Sequence, residues 1–499
     1  MRLISIVCGL LLGSAIYANP SVKTIQGEVV GFEENGRNVF KGIPFARAPV
    51  GNLRWQAPGK LETSKPPIDA SSFESQCTQK NVPASEEDCL FLNIWTNGLD
   101  QAKRPVMVWV HGGGFRGGSG NIDGHPLAQE DVVVVSFNYR LGPIGFFAHE
   151  ELEGALNFGL LDMVAALEWV QGNIEVFGGD PTNVTIFGVS AGGQAINLLM
   201  ASPRARGLFH RAIAQSGYGT WPLPRVSGLK SRWLKNWLGE PVADAVSVSQ
   251  ALTAGLGVSD DLTTLRTLPA RDLVNALDGF QLPIVDGISL PDEPAVVFMQ
   301  GGQADVPYLT GGNSYEGSVQ GGSGVTLENV AAGFAYADAN VRSLYAADMT
   351  QDETLGWRRV FGDMRYVLSA HTLADAMSTV ASPTWKYYVD FVPAAQKDDW
   401  PGTPHAMETV FLFSGHASPD PEVKALSKRM RGYWSRFAKF GDPNGNSARD
   451  SRNTERLVWP SSTAESPKWL VLSHEDRIEG NPLGGKLGLL SGHYIRRHL

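Results

Sequence analysis

A serine between two glycines, placed where a strand pattern gives way to a helix pattern, sets the strongest limit on how this chain can fold. Residues 183–187 (Asn-Val-Thr-Ile-Phe) are typical of a buried strand, and a helix is predicted over residues 191–200. The connecting Gly-Val-Ser-Ala-Gly at 188–192 suits a sharp turn that lifts the Ser190 hydroxyl above the sheet edge, at a helix N-terminus. The pattern predicts a serine nucleophile, and an ordinary structural turn is the alternative.

Short apolar runs alternate with helical patterns along the 499 residues, which is typical of an α/β protein with a mostly parallel central sheet flanked by helices. Residues 222–300 are less regular and more helical, so we expect a helical cap insertion there, and a second insertion at 317–380. Residues 317–324 (Gly-Ser-Val-Gln-Gly-Gly-Ser-Gly) have the composition of a flexible loop. No linker divides the chain, so a single domain is predicted over 19–499. Further strands are predicted at 106–110, 132–137, 211–214, 306–310, 385–391 and 469–472, and a further helix at 160–170.

The N-terminus has the order of a secretory signal peptide. Arg2 precedes an apolar run at 3–12, and small residues end at Ala18, after which we expect cleavage of residues 1–18. The run is too short to anchor the chain comfortably in a bilayer. The sequence therefore predicts a secreted or periplasmic protein with no stable membrane anchor, and it leaves the oligomeric state open.

Charge and cysteine content narrow the partners and cofactors. The chain has 42 Lys and Arg against 51 Asp and Glu, a net charge of −9, and no basic block, so nucleic acid is not an expected partner. Loss of the signal peptide leaves Cys77 and Cys89, and an even count in an oxidising compartment suggests a disulfide; two free buried thiols are the alternative. No clustered spacing of metal ligands is found, so neither a metal nor a cofactor is expected.

A glycine run after another predicted strand can supply the donors that an attacked carbonyl needs. His-Gly-Gly-Gly-Phe at 111–115 is placed like the oxyanion loop of a serine hydrolase. Glycine lets the backbone approach a substrate with no Cβ in the way. We expect the N–H groups of Gly113, Gly114 and Ala191 to form the oxyanion hole, and His111 to hold the loop rather than transfer protons. A flexible glycine loop is the alternative.

The histidine base should come last in the chain order serine, acid, histidine. His405 ends the loop Pro-Gly-Thr-Pro-His at 401–405, shortly after the predicted strand at 385–391, where a hydrolase of this kind places its base. His416 is the fallback. The other candidates lie in a helix pattern or beyond the last predicted strand: His371, His474, His493 and His498.

The acid should follow a strand between the serine and the histidine. Glu316 is the only carboxylate in the turn 311–317, which follows the predicted strand at 306–310. It would fix the imidazole tautomer and stabilise the imidazolium without taking the proton. Asp286, in Pro-Ile-Val-Asp-Gly at 283–287, is the second candidate, although a turn-capping role explains it better.

With these residues in place, the sequence resembles the type-B carboxylesterase family, which includes cholinesterases and para-nitrobenzyl esterases, over roughly residues 24–473. The matching stretches are Phe-Lys-Gly-Ile-Pro-Phe-Ala at 40–46, Glu-Asp-Cys-Leu-Phe-Leu-Asn-Ile at 87–94, the serine turn region at 173–193, and the segment 431–444. The resemblance implies an α/β-hydrolase fold. It also implies a catalytic triad of Ser190, Glu316 and His405, with oxyanion glycines at Gly113 and Gly114. It further implies a first disulfide between Cys77 and Cys89, and support of the acid by Ser216.

Two departures from the family narrow the range of expected substrates. Members commonly have Glu immediately before the nucleophile, where this chain has Val189. In cholinesterases a Trp in the first disulfide loop stacks on choline, whereas the loop at 78–88 here holds no aromatic residue. Choline esters are therefore not expected. Trp221 and Val189 are candidates for lining the substrate pocket, and a core position is the alternative for Trp221.

The sequence thus predicts a secreted serine esterase that hydrolyses neutral carboxylic esters through an acyl-enzyme on Ser190. A non-catalytic relative of the same fold is the contrary hypothesis, and such chains usually lack a member of the triad. Cleavage of amide or lactam bonds would use the same residues, and leaving-group assays separate it from ester cleavage. The expected partner is a small-molecule ester whose identity the sequence does not reveal.

Overall fold

The computed structural model of the protein describes residues 19–229, 235–445 and 457–497, so the predicted signal peptide and His498 lie outside the described residues. The strands are β1 (Ser21–Thr24), β2 (Gly27–Val30), β3 (Phe32–Glu34), β4 (Arg37–Pro44), β5 (Ile68–Asp69), β6 (Phe91–Thr96), β7 (Arg104–Val110), β8 (Val133–Phe137), β9 (Gly179–Val189), β10 (Arg211–Gln215), β11 (Tyr308–Asn313), β12 (Thr384–Val389), β13 (Trp469–Leu472) and β14 (Arg477–Glu479).

Helices connect these strands and flank the sheet. The α-helices are α1 (His125–Ala128), α2 (Gly142–Gly145), α3 (Phe158–Asn173), α4 (Ala191–Ala201), α5 (Ala245–Ala254), α6 (Leu262–Thr267), α7 (Ala270–Ala276), α8 (Pro294–Met299), α9 (Leu327–Gly333), α10 (Asp338–Leu344), α11 (Ala346–Gln351), α12 (Glu353–Gly362), α13 (Leu368–Ala376), α14 (Met407–Thr409), α15 (Pro421–Phe440) and α16 (Gly485–Arg496). None of the helices in the described ranges has the length and apolarity needed to cross a bilayer.

The described residues form a central sheet of 11 strands in the order β14-β13-β12-β11-β10-β9-β7-β8-β6-β4-β3. The strands from β13 to β8 in that order run parallel, and the strands at both edges pair antiparallel. A separate small sheet holds β1, β2 and β5. The predicted α/β architecture with a mostly parallel sheet is confirmed.

Apolar side chains on both faces of the sheet hold it between helices. In β7, Val106, Val108 and Val110 belong to the core on one face, while Met107 and Trp109 belong to the core on the other. This division follows from the alternation of side chains along a strand. It explains why the central strands are continuous apolar runs rather than alternating patterns.

The sequence analysis located most central strands and missed the N-terminal ones. The predictions at 211–214 and 469–472 agree closely with β10 and β13, whereas β1 to β6 were not predicted. In β6 the buried Asn93 breaks the apolar run, and its Oδ1 accepts a 2.9 Å hydrogen bond from the Gly42 N–H. A polar residue used inside the sheet concealed this strand from a search for apolar runs.

The flexible loop predicted at 317–324 is wrong, because Glu316–Gly322 forms a 3₁₀ helix. Its first glycine, Gly317, packs closely against a neighbouring helix. A Cβ on Gly317 would lie 2.2 Å from the Arg358 carbonyl oxygen of α12, so only glycine allows this approach.

The two predicted cap segments contain most of the short helices, α5 to α8 within 222–300 and α9 to α13 within 317–380. Trp55, Phe147, Leu265 and Leu273 share an apolar cluster that joins helices α6 and α7 to the body. The assignment of these segments to a cap over one domain stays a prediction.

Cys77 and Cys89 form a disulfide with an S–S distance of 2.01 Å. The predicted pairing is confirmed.

Candidate active site

The candidate site forms at the edge of the sheet where its parallel strands end. Strands β7, β9, β10, β11 and β12 run in one direction, so the segments that follow them meet at one edge. Those segments carry the sequence-predicted residues: the glycine run, Ser190, Ser216, Glu316 and His405.

Ser190 occupies a tight turn between β9 and α4. Its backbone lies at φ 60° and ψ −122°, a strained conformation for a residue with a side chain. A Cβ on Gly188 or Gly192 would lie 2.5 or 2.1 Å from the Val110 carbonyl oxygen, so both glycines are required for the turn to pack on β7. The Ser190 N–H donates to the Gln215 carbonyl at 2.9 Å, which ties the turn to β10.

Ser190, His405 and Glu316 lie in hydrogen-bond contact. Ser190 Oγ lies 2.7 Å from His405 Nε2, and His405 Nδ1 contacts Glu316 Oε2. The His405 main-chain N–H donates to Ser318 Oγ at 2.9 Å, which fixes the loop carrying the ring. The imidazole thus has an acceptor on one nitrogen and a hydroxyl on the other, the arrangement a general base requires.

Several donors hold the Glu316 carboxylate in place. Its Oε1 accepts from the Asn313 main-chain N–H at 2.7 Å and from Ser216 Oγ at 2.6 Å. The structure therefore places Ser216 where the resemblance put it, against the acid. Asn313 was not singled out in the sequence, although it lies in the same short turn as Glu316.

Glu408 is a second buried carboxyl group beside the first, and the sequence analysis missed it. Its Oε1 lies 2.7 Å from Ser216 Oγ and 2.8 Å from the Tyr387 hydroxyl, and its Oε2 accepts from Asn313 Nδ2 at 2.7 Å. Burial, followed by the negative charge of Glu316, raises the pKa of Glu408. A protonated Glu408 can donate to Ser216, which frees the single Ser216 hydrogen for Glu316. The position of Glu408 three residues after His405 was the available signal.

The glycine run beside Ser190 presents unused N–H groups. Gly113 and Gly114 have φ values of 115° and 62°, and a Cβ on Gly114 would lie 2.3 Å from the Phe280 ring. In the described part of the chain, the N–H groups of Gly113, Gly114 and Ala191 donate to no protein acceptor. Three free donors close to a serine hydroxyl can stabilise an oxyanion.

His111 supports this loop from below. Its ring stacks on Tyr139 at 4.3 Å between centroids, and its Nδ1 lies 2.9 Å from the Gly112 carbonyl oxygen, to which it donates. Burial lowers the pKa of His111 to about 4, so the ring is neutral at neutral pH. This packing agrees with the supporting role expected from the sequence.

The alternative acid and base are not brought to Ser190. Asp286 Oδ1 accepts from the main-chain N–H groups of Ile288, Ser289 and Leu290 at 2.8–3.0 Å, so it caps a turn. His416 lies in the 3₁₀ helix Gly415–Ala417. No group of three residues suited to holding a metal ion is found within the described ranges.

A cavity of about 540 Å³ is lined in part by Phe280, the ring that lies against Gly114 of the glycine run. Trp221 lines it together with Phe280 and Arg365. Val189 does not line it: the side chain packs with Phe187 in the core on the opposite side of the sheet, as alternation along β9 requires. Arg365 was not identified from the sequence.

Comparison with known proteins agrees with this geometry. Residues 18–487 match the model of the carboxylesterase family. The chain belongs to the carboxylesterase family. Para-nitrobenzyl esterase of Bacillus subtilis is 35% identical over 500 residues, covering 92% of this chain and 96% of that protein. Fumonisin B1 esterase of Sphingopyxis macrogoltabida is 34% identical, covering 85% and 82% respectively.

Solved structures of the carboxylesterase family share the fold. A PNB esterase structure matches with a TM-score of 0.79 and 33% identity, covering 95% of this chain and 100% of its own. A carboxylesterase from Geobacillus stearothermophilus matches with a TM-score of 0.78 and 30% identity, covering 94% and 99%. The predicted α/β-hydrolase fold and carboxylic ester hydrolase activity are confirmed at the level of the family.

Proposed function

We propose that this carboxylesterase is a secreted or periplasmic serine esterase that hydrolyses neutral carboxylic esters, with Ser190, His405 and Glu316 as its catalytic triad. The observation that carries the proposal is the 2.7 Å contact between Ser190 Oγ and His405 Nε2 beside three free N–H donors. The N-terminal order of Arg2, an apolar run at 3–12 and small residues ending at Ala18 supports export, and so does the disulfide, since disulfides persist in oxidising compartments.

Acylation begins when His405 Nε2 takes the Ser190 hydroxyl proton while Oγ attacks the ester carbonyl carbon. The resulting oxyanion accepts hydrogen bonds from the N–H groups of Gly113, Gly114 and Ala191. His405 then gives its proton to the alkoxy oxygen, and the C–O bond breaks to release the alcohol. Glu316 stabilises the imidazolium throughout without taking its proton.

Deacylation repeats these steps with water as the nucleophile. His405 takes a proton from water, the hydroxide oxygen attacks the acyl carbon, and the same three N–H groups bind the second oxyanion. Return of the proton to Ser190 Oγ releases the carboxylic acid and restores the free enzyme.

Cationic choline esters are not part of the proposed substrate range. The loop 78–88 offers no aromatic face on which a quaternary ammonium group could stack. A neutral short-chain ester should therefore be cleaved faster than acetylthiocholine.

The largest expected effect is the loss of catalysis in Ser190→Ala. We expect hydrolysis of p-nitrophenyl acetate to fall at least about 10⁴-fold because the nucleophile is gone. A fluorophosphonate probe should label wild type on the peptide containing Ser190 and leave the variant unlabelled. Ser202→Ala, a buried serine outside the site, is the control and should keep both signals. Activity retained by Ser190→Ala would refute the proposal.

A further inference from the structure

Arg365 is a buried cation in the cavity wall with no counter-charge. The residue is 1% exposed, and its Nε and Nη2 have no hydrogen-bond partner. No described carboxylate forms an ion pair with it. A buried guanidinium normally has an acidic partner, because its removal from water is costly. The missing counter-charge therefore points to an anionic partner that the described residues do not supply.

Aromatic rings surround the guanidinium and account for part of its stabilisation. Cation–π contacts act through the ring faces, and the hydroxyl groups of Tyr218 and Tyr366, which also interact with the guanidinium, carry no negative charge. Tyrosinate is not the missing counter-charge, since burial raises the pKa of Tyr218 to about 12 despite the opposing charge of Arg365. Distances from Cζ to the ring centroids are 4.1 Å for Trp221, 4.3 Å for Tyr218, 5.5 Å for Phe280, 5.8 Å for Tyr366 and 5.9 Å for Phe361.

The guanidinium is separated from the candidate catalytic residues by single side chains. The ring of Tyr366, the next residue, lies 4.5 Å from the His405 ring between centroids. Phe280 lies against both Arg365 and the Gly114 backbone. Arg365 and Tyr366 belong to the π-helical turn Asp363–Val367, a type of irregularity often found at functional sites.

The other charged groups at the cavity do not neutralise Arg365. Glu240 and Asp278 line the cavity but are exposed to solvent, where water and salt screen their charges. Arg116 also lies near Phe280, but its guanidinium donates to the carbonyl oxygens of Gly279 and Gly322. Among the described charged residues at the cavity, Arg365 is thus the buried cation without a counter-charge.

We propose that this cavity binds the free carboxylate of an ester substrate, and that Arg365 receives it through charge-assisted hydrogen bonds. The inference rests on the proposed function and extends its substrate class from neutral esters to esters that carry a carboxylate in the acyl or the alcohol part. An arginine fork matches a carboxylate in geometry and charge, and a low-dielectric surrounding strengthens the contact. The aromatic walls would hold the apolar chain between the carboxylate and the scissile bond.

Two matched pairs of esters test the proposal on the whole enzyme. Monoethyl adipate against ethyl hexanoate places the charge in the acyl part, and 4-butanoyloxybenzoate against phenyl butanoate places it in the alcohol part. In at least one pair we expect wild type to show a kcat/KM about tenfold or more higher for the anionic ester, since a charge-assisted contact contributes roughly that much.

Arg365→Met should bring the ratio of anionic to neutral kcat/KM down to about one, because the methionine replaces the charge with an apolar chain. Arg365→Lys should retain part of the preference, since it keeps the charge and loses the fork. Arg116→Met makes the same change in net charge beside the same Phe280 ring, and its anionic-to-neutral ratio should match that of wild type.

Three results would overturn the inference: no preference for the anionic ester in either pair, a preference that persists in Arg365→Met, or equal losses on both esters that Arg365→Lys does not restore. If wild type cleaves neither neutral ester, the proposed function has failed instead. Calorimetric titration with adipate and with benzoate then tests the inference on its own. Binding of at least one carboxylate to wild type and of neither to Arg365→Met would support it, and any other result would overturn it.

Discussion

Two buried arginines in this carboxylesterase show opposite ways of keeping a cation out of water. Arg140 is 1% exposed, and its Nε and Nη2 donate to the Asp162 carboxylate at 2.8 and 2.7 Å. Its main-chain N–H donates to the same carboxylate at 3.0 Å, which leaves only Nη1 without a partner. Arg365 is equally buried and has aromatic faces in place of a carboxylate.

The difference separates a charge that belongs to the fold from one that is available to a ligand. A buried ion pair is balanced within the protein, so breaking it damages the folded state itself. A buried cation without a counter-charge lowers stability, and binding an anion recovers that loss. The location of each arginine agrees with this reading, since Arg140 packs under α3 through Asp162 and Arg365 lines the cavity.

The largest expected effect on stability comes from Asp162→Asn. The substitution leaves Arg140 buried without its counter-charge, so the free energy of unfolding should fall by about 3–5 kcal/mol. Urea denaturation followed by tryptophan fluorescence measures the change. Asp338→Asn, in a solvent-exposed ion pair with Arg342, is the control and should lose less than about 1 kcal/mol. Equal losses in the two variants would mean that the Arg140 pair is not special.

Glu408 adds a third case to the comparison, a buried acid whose protonated form is favoured by burial and by the charge of Glu316. Since its pKa is raised in the folded state, its contribution to stability is present in full below the unfolded pKa and is lost as pH rises through the folded value. The stability of wild type relative to Glu408→Gln should therefore decline with rising pH and level off in acid. Denaturation midpoints across pH 4–9 give this difference, and a difference that rises with pH would contradict the assignment.

The smallest stability effect is expected for Arg365→Met. The variant breaks no ion pair and no hydrogen bond of Nε or Nη2, and it replaces an uncompensated charge with an apolar chain. The free energy of unfolding should stay within about 1 kcal/mol of wild type or rise. A loss comparable to that of Asp162→Asn would show that Arg365 is as structural as Arg140, and the comparison would fail.

The sequence analysis was most informative for residues that directly follow predicted strands. Ser190, His405 and Glu316 were predicted because each follows an apolar run at an expected point of the chain order, and parallel strands bring such points together. The glycines at 113 and 114 were visible for the same reason. Their catalytic roles remain proposals that the geometry supports.

Residues whose roles depend on distant partners could not be predicted in this way. Glu408 meets Ser216 across 192 residues of chain, and Arg365 gathers rings from several separate segments. The place of Val189 in the turn did not reveal which face of β9 its side chain occupies. Pairwise packing across the sheet is set by the whole fold, and no local pattern records it.

The π-helical turn Asp363–Val367 makes adjacent backbone positions serve different tasks. Residue 365 faces the cavity, and residue 366 packs on the ring proposed to carry the proton. Substitution of Arg365 can change which esters bind while Tyr366 still packs against the His405 ring. The substrate range can therefore change without displacing the proposed catalytic base.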